Sequence, residues 1–496
     1  KNNYSKYFNF EFEQFHMSSV PIPKLLKKDV DLDIDLDLYD YVILVGSEAA
    51  KEYAKITSVT TMQGVLVKDK FIAITNPAIL VFKPEGKAAF EEAVRKTNAI
   101  IDGTLVVGSK GEYKGISEAN KALEYLCWVY DSNIPYIALD CETTALYPRD
   151  GYLLGISLSH QKNQGVYILA DCLTEECIEL LQKIIDTKLI VFHNMKFDIK
   201  FIEYGLGVKF RRDNVADTML LHYTLDENGE HGLKALAIKY TGHGDYDEAL
   251  HTYKVNYCKD HKIKQEEFTY DLIPYDIMCQ YAAIDTAATF ELYEKFLPLV
   301  LGNPNLAKVY NTLLVPGTLF LLDMEEAGIP IDKVKLQAAG DYLDKEIIKA
   351  KEKIYTFAEV QVFERDSGLI FNPNSVQQLR TLLFDYLKLA PVGKRTATGA
   401  LSTDAEVLEE LASQHPLPKV LLTVRKLTKI RNTYVTKILD GLDRDGRIRT
   451  NFNLSFTTSG RLSSSGKFNA QQIIRDDPII KGCIAAPEGY SIVSQD

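Results

Sequence analysis

The sequence predicts a multidomain protein of mixed α/β and α+β class, and three observations carry that reading. At 496 residues the chain exceeds what one hydrophobic core supports, so about three domains are expected. Two stretches, 41–97 and 131–300, alternate short apolar runs with helical patterns, the mark of α/β layers. From Leu301 onward long charged helical periodicity takes over, first over Lys333–Phe357. No run approaches the roughly 18 apolar residues of a membrane span, so no membrane partner is expected. Lys1 begins the chain without a charged-then-apolar leader, so no signal peptide is visible and secretion is not expected. Seven scattered cysteines without a Cys-x-x-Cys fit a reducing compartment and no zinc site. The net charge of −11 argues mildly against nucleic acid, but the charge is segregated along the chain.

Residues 1–28 are polar and aperiodic and read as an extended arm. Asp29–Asp40 alternates acids with aliphatics, which fits a strand or an acidic linker, and Pro21 and Pro23 favour the linker. Val42–Val45 reads as a strand, Gly46 as a turn, Ser47 onward as a helix, Phe71–Thr75 as a second strand, and the region through Glu91 and Ala93 as a second helix. Val42–Thr97 resembles, over a short stretch, the C-terminal half of the uracil-DNA-glycosylase fold. Asn76-Pro77 stands where those enzymes place a catalytic His-Pro. The resemblance implies a non-catalytic module that docks DNA or a partner; a generic α/β domain is the alternative.

Chemistry concentrates in residues 131–300. Ile134–Leu139 reads as a buried strand that delivers Asp140-Cys141-Glu142, and carboxylates two positions apart on a strand share a side. Held that close they repel unless a cation lies between them. A surface turn with two solvated acids is the competing reading. Val191–Asp198 reads as a strand entering a helix, with Asn194 placed to cap it and Asp198 on the first turn. The run Gln280–Tyr293 puts Tyr281 and Asp285 four residues apart on one helical face. Taken singly, such an aspartate is usually a solvated charge and such a tyrosine usually core.

The order of strand Asp-x-Glu, helix-start Asp and Tyr-x-x-x-Asp resembles the DEDD 3′–5′ exonuclease superfamily, and in particular the proofreading domain of the DNA polymerase I family. Ala216–Asp226 and His231–Ala237 resemble that domain as well. Gln280 stands where the histidine subclass has its histidine, whereas Tyr281 fits the tyrosine (DEDDy) subclass. The resemblance implies a ribonuclease H-like fold and two Mg2+ (or Mn2+) ions in the exonuclease site. Hard cations suit carboxylate oxygens, and a pair ~3.5–4 Å apart can activate water and stabilise the leaving oxygen. On that resemblance Asp140 bridges both ions, Glu142 and Asp285 complete the first, Asp198 holds the second through water, and Tyr281 orients the attacking water.

Between Lys419 and Arg449 nine basic residues face three acidic ones, a local net of +6. Such a cluster, which includes Arg425, Lys426, Lys429 and Arg431, suits phosphate binding; a solvated helix face is the alternative. Thr457–Ser465 and Asn469–Ile473 resemble the family A DNA polymerase segment that enters the palm, with Arg461 and Gln471 at duplex-contacting positions. Ser459 and Lys467-Phe-Asn-Ala-Gln-Gln depart from the commoner pattern. Tyr490–Asp496 reads as a strand that delivers Asp496, which the resemblance makes one of two polymerase metal ligands.

The expected organisation is therefore an arm and linker (1–40), an α/β accessory module (41–130), an exonuclease domain (131–300), a mainly helical thumb (301–450) and the start of a palm (451–496). Expected partners are a DNA primer–template, a single-stranded 3′ end and dNTPs, with a second chain or missing C-terminal part to supply fingers and palm. Without these the chain alone is expected to show exonuclease and DNA binding only. The expected setting is a bacterial or phage-infected cytoplasm, or an organelle. A free-standing DEDDy exonuclease on RNA or DNA ends and an inactivated DNA-binding scaffold are the other readings.

Overall fold

The computed structural model describes Phe8 and residues 35–493, apart from residues 57, 69, 83–85, 103–110, 245, 394, 397–398 and 474–477. The expected arm and most of the acidic linker lie outside the described residues, as does Asp496. The chain divides into two compact units, Lys1–Phe320 with Thr457–Gly460, and Leu321–Phe456 with Arg461–Asp496.

The first unit opens with a small α/β module. β1 (Val42–Val45) pairs in parallel with β3 (Phe71–Ile74), and β2 (Leu66–Val67) pairs antiparallel on the other side of β3. α1 (Ser47–Ala54) and α2 (Val59–Met62) bury Ala50, Ala54 and Val59 with Leu44 and Ala73. α3 (Lys87–Ile101) brings Phe90 and Val94 onto Ile74. Ile238, from the domain that follows, packs into the first of these clusters. Lys96 donates to the Ile238 carbonyl, and burial lowers its pKa to about 8.

A mixed six-stranded sheet follows, in the order β4-β7-β6-β5-β8-β9. Its strands are β4 (Glu112–Ile116), β5 (Tyr136–Thr143), β6 (Leu153–Ser159), β7 (Gln164–Leu169), β8 (Leu189–Phe192) and β9 (Val215–Asp217). The sheet reaches back to Glu112, ahead of the boundary expected at residue 131. β4 is a short, polar edge strand (Glu-Tyr-Lys-Gly-Ile), so its sequence lacks the apolar run that marks a buried strand. β5 runs through both carboxylates to Thr143, as their expected place on a strand requires, paired to β6 on one side and, over Tyr136–Ala138, to β8 on the other.

Around the sheet stand α4 (Ala119–Asp131), α5 (Glu175–Thr187), α6 (Met195–Leu206), α7 (Thr218–Leu225), α8 (Leu233–Tyr240), α9 (Glu248–His261) and α10 (Tyr275–Leu301). The 27-residue α10 lies across β4–β7 and is apolar on most sides, as a helix buried at the centre of a domain must be. Small residues bring it close: Ala282, Ala283, Ala287 and Ala288 are fully buried. On the sheet side a Cβ at Gly165 would stand 2.0 Å from the Ala283 carbonyl oxygen, and one at Gly115 2.2 Å from Tyr275 Oη.

In the second unit the charged helix runs Lys333–Tyr355, capped by Asp332, whose side chain accepts from Lys335 N at 2.9 Å. It packs on Leu417–Lys429, and Ile354, Phe363, Phe371, Leu383, Leu411 and Leu421 belong to the main core. Asn451–Asn453 and Ser463–Ser465 form an antiparallel pair. The strand expected over Tyr490–Asp496 is not formed in its described part. Tyr490, Ile492 and Val493 are exposed and pair with no strand among the described residues, and an apolar run becomes a strand only with a ladder partner.

The close seat of α10 yields a stability prediction. Gly165→Ala forces a methyl against backbone and should cost about 1–3 kcal/mol or more. Gly205→Ala, whose Cβ meets only Leu153 at an ordinary 3.6 Å, should leave stability unchanged or raise it. Denaturant unfolding of the two variants decides; equal midpoints would mean that the helix does not sit this close.

Candidate active site

Three of the expected carboxylates converge. Asp140 and Glu142 project from β5, Asp285 from α10, and one ligand oxygen from each lies within 4.8 Å of the others. The alternation of β5 sets the first two on one side, and α10 supplies the third because its glycine-permitted seat lies over the same strands. Glu142 and Asp285 are buried and Asp140 half-buried. Glu142 Oε1 has no hydrogen-bond partner among the described residues. A buried carboxylate oxygen without a donor, beside two more carboxylates, is a donor set that a hard cation fits.

Asp198 stands beside this group rather than in it. It lies on the first turn of α6, almost fully buried, and accepts from Cys141 N at 3.0 Å through Oδ1 while contacting Asp140. Asn194 occupies the N-cap position but does not cap: it is in the left-handed region at φ 68° and its side chain makes no cap bond. Asp217 does that work from β9. Its carboxylate accepts from Met195 N (2.8 Å) and Asn194 N (3.2 Å), and from Met219 N (2.8 Å) and Leu220 N (3.3 Å) at the start of α7. One buried carboxylate thus caps two helices and holds the helix that carries Asp198. A motif search for i→i+3 caps misses it, because it lies 22 residues beyond Met195.

The electrostatics follow from burial and like charge. Asp140 is raised to about 7, first by burial and then by Asp285. Glu142 is pushed well above the carboxylate range by burial and then by Asp140 and Asp285. Asp198 moves the same way, through burial and then Asp140. Tyr281, half-buried on α10 one turn before Asp285, is raised well above 10 by burial and the neighbouring Asp285 and Glu142. Its hydroxyl therefore stays protonated through the neutral range, which suits orienting a water rather than deprotonating it.

Residues 115–301 match the family model for a 3′–5′ exonuclease, and residues 333–496 match that for DNA polymerase family A. The chain belongs to the family A DNA polymerases. Over 99% of its length it is 49% identical to the DNA polymerase of Escherichia phage T5, of which it covers 60%. It is 27% identical to the DNA polymerase of Bacillus phage SP01 over 92% of this chain and 56% of that protein. The chain thus spans less than two thirds of these curated relatives. The POL domain of Pol1 from M. smegmatis, in complex with DNA primer-template and dNTP, shares the fold, with a TM-score of 0.57 at 24% identity over 76% of this chain and 59% of that one. No helix among the described residues is long and apolar enough to cross a membrane.

The basic residues of the second unit divide in two. Lys426 and Lys429 are exposed on Leu417–Lys429, and Arg461 and Gln471 are exposed further on. Lys419, Lys437 and Arg444 of the same cluster are exposed as well, whereas Arg425, Arg431, Arg447 and Arg449 are tied inward. Arg425 donates to the Thr403 carbonyl, and Arg431 donates to Asp344 (2.9 Å) and Thr436 (2.7 Å). Arg449 bonds Asp443 (2.6 Å), Asp445 (2.7 Å) and the Glu326 carbonyl (2.9 Å). The count of +6 therefore overstates the charge available to a ligand.

Sequence reasoning did not single out Lys234 and Tyr246 at the acidic site. Lys234 Nζ lies 3.2 Å from Asp285 Oδ1, and Tyr246 donates to the same oxygen. His231–Ala237 contained Lys234, but nothing in its spacing tied it to an aspartate 51 residues later.

The raised carboxyls predict a pH dependence. In the fold Asp140 keeps its proton up to about 7, whereas an unfolded aspartate loses it near 3.9. Between those values the native state binds more protons than the unfolded chain. The contribution to stability is therefore present at low pH and falls as pH rises, by at most about 1.4 kcal/mol per pH unit for each such group. Without metal, Tm should decline across this window, and Asp140→Asn should flatten the decline. Added MgCl2 should raise Tm more at about pH 8 than at about pH 5.5, since ligands must be deprotonated. Thermal melts across pH test both; parallel slopes for the two proteins would refute the raised Asp140.

Proposed function

We propose that the chain carries a divalent-metal-dependent 3′–5′ exonuclease site of the DEDDy type, acting on DNA ends as the proofreading part of a family A polymerase. The observation that supports it is the Asp140–Glu142–Asp285 cluster with its buried, unpartnered Glu142 oxygen. Asp140, Glu142 and Asp285 would hold one ion, and Asp198, beside Asp140, would serve a second. Bound there, Mg2+ or Mn2+ would neutralise charge on the scissile phosphate and acidify water.

The protein's own groups do the rest. The carboxylates and the α6 start fix where the 3′-terminal phosphodiester must lie. Tyr281, protonated, offers its hydroxyl to position a water in line with phosphorus. The water oxygen attacks and gives up a proton to solvent, the bond from phosphorus to the 3′ oxygen of the penultimate nucleotide breaks, that oxygen takes a proton from solvent to become the new 3′ hydroxyl, and a nucleoside 5′-monophosphate leaves. Primer–template DNA is the proposed macromolecular ligand, with Lys426, Lys429, Arg461 and Gln471 touching the duplex, and dNTPs are substrates of the polymerase as a whole.

A 5′-labelled primer with a 3′ mismatch, annealed to template and incubated with Mg2+, tests this reading. Asp140→Ala should slow trimming by roughly 10²–10³-fold or more, the scale seen when a charge-stabilising group is lost, while duplex binding persists. Trimming at the wild-type rate by that variant would sink the assignment. Binding isotherms at several salt concentrations test the duplex-facing residues. Lys426→Ala with Lys429→Ala should weaken binding and lower the slope of log K against log salt by about 0.9 for each phosphate left without its lysine. Arg449→Ala should instead lower Tm, since its bonds are internal.

A further inference from the structure

Lys234, among the described residues, brings a cation to the acidic site, and the exonuclease reading leaves it unused. Lys234 is the second residue of α8. Its ammonium lies 3.2 Å from Asp285 Oδ1 and 3.7 Å from Asp247 Oδ2. It also lies 3.8 Å from the ring centroid of Tyr246 and 3.9 Å from that of Tyr281. Those two rings are 6.3 Å apart and inclined by 36°. The ammonium therefore sits in the notch between two aromatic faces, with a carboxylate on either hand. Tyr246 donates its hydroxyl proton to the same Asp285 oxygen, so two donors converge on Oδ1 and neither takes Oδ2.

This arrangement constrains both residues that α10 brings to the site. An ammonium over the face of Tyr281 holds the ring's plane, and so fixes the direction in which its hydroxyl points. The same ammonium and the Tyr246 hydroxyl set the rotation of the Asp285 carboxylate by holding Oδ1, and neither engages Oδ2. A neutral side chain of equal length would fill the notch and supply neither restraint. We propose that Lys234 is a positioning residue for the exonuclease reaction, orienting Tyr281 and Asp285 through its interactions with both; this rests on the exonuclease reading above. Tyr246 is its partner in holding Asp285. Lys234 also competes with a metal ion for the negative charge of Asp285, so its loss should separate two quantities that usually fall together.

The test compares wild type, Lys234→Met, Lys234→Arg and Asp140→Ala in the full 496-residue chain. The readouts are kcat and KM for trimming a single-stranded oligonucleotide, Mn2+ affinity by calorimetry, and Tm. Lys234→Met should lower kcat by roughly 10- to 100-fold, the cost of about 1 Å of misplacement at a reacting centre. KM should stay nearly unchanged, while Mn2+ binds as tightly as before or more tightly. Lys234→Arg, which can still stack on both rings and reach the carboxylate, should recover part of kcat. A merely structural role would weaken Mn2+ binding and lower Tm together with kcat. That outcome, or wild-type kcat in Lys234→Met, overturns the proposal. A wild-type chain that does not trim overturns the exonuclease reading and this inference with it. Trimming that is lost in Asp140→Ala but kept in Lys234→Met overturns only this inference.

Discussion

The site depends on how near a long helix can come to a sheet. α10 lies against β7 at a distance that leaves no room for a side chain at Gly165, where a Cβ would meet backbone at 2.0 Å. The approach costs backbone entropy at the glycines and is sustained by the burial of four alanines and the larger apolar residues of the helix. What it achieves is placement. A rigid element carries Asp285 and Tyr281 to a strand that already holds Asp140 and Glu142, so the four side chains meet without any loop having to be ordered. Functional groups set on regular elements keep their geometry better than groups set on loops.

That placement brings an electrostatic difficulty which the fold only partly relieves. Carboxylates crowded in a buried position each raise the others' pKa, and burial raises them further. The relief is local and uneven. Asp198 has one strand amide, Asp285 has an ammonium and a phenol, and Glu142 has an oxygen with no partner. Asp217, equally buried, shows the contrasting solution. Burial pushes its carboxyl upward, and four helix-start amides pull it back. A carboxylate with that many donors is held as structure, whereas Glu142 keeps an oxygen that no donor among the described residues reaches.

Much of this was legible from local spacing. Asp140 and Glu142 could be placed on one side of a strand because the strand period is two, and Tyr281 with Asp285 on one helix face because the helix period is near four. Asp198 was readable from the strand-to-helix step before it. What stayed hidden were relations across long separations. Asp217 caps a helix from 22 residues away, and Lys234 meets Asp285 across 51. β4 escaped notice because an edge strand with one wet face lacks an apolar run. Asn194 misled because a good capping residue turned into the left-handed region and left the task to another side chain. The basic cluster misled in the other direction: charge counts do not show that Arg449 is spent on Asp443 and Asp445.

The small α/β module at the front of the chain shares its core with the sheet domain. Ile238, at the far end of the helix that begins beside Lys234, is seated among the module's apolar residues, and Lys96 reaches across to that residue's carbonyl. A change at Ile238 or Lys96 is therefore felt in both domains. A relative that acquired a different module by recombination would need a socket for position 238 and a donor for its carbonyl, or α8 would lose its backing. Exchanging the module alone would thus leave Ile238 without its apolar seat and its carbonyl without the Lys96 donor, whereas moving module and sheet domain together would keep both.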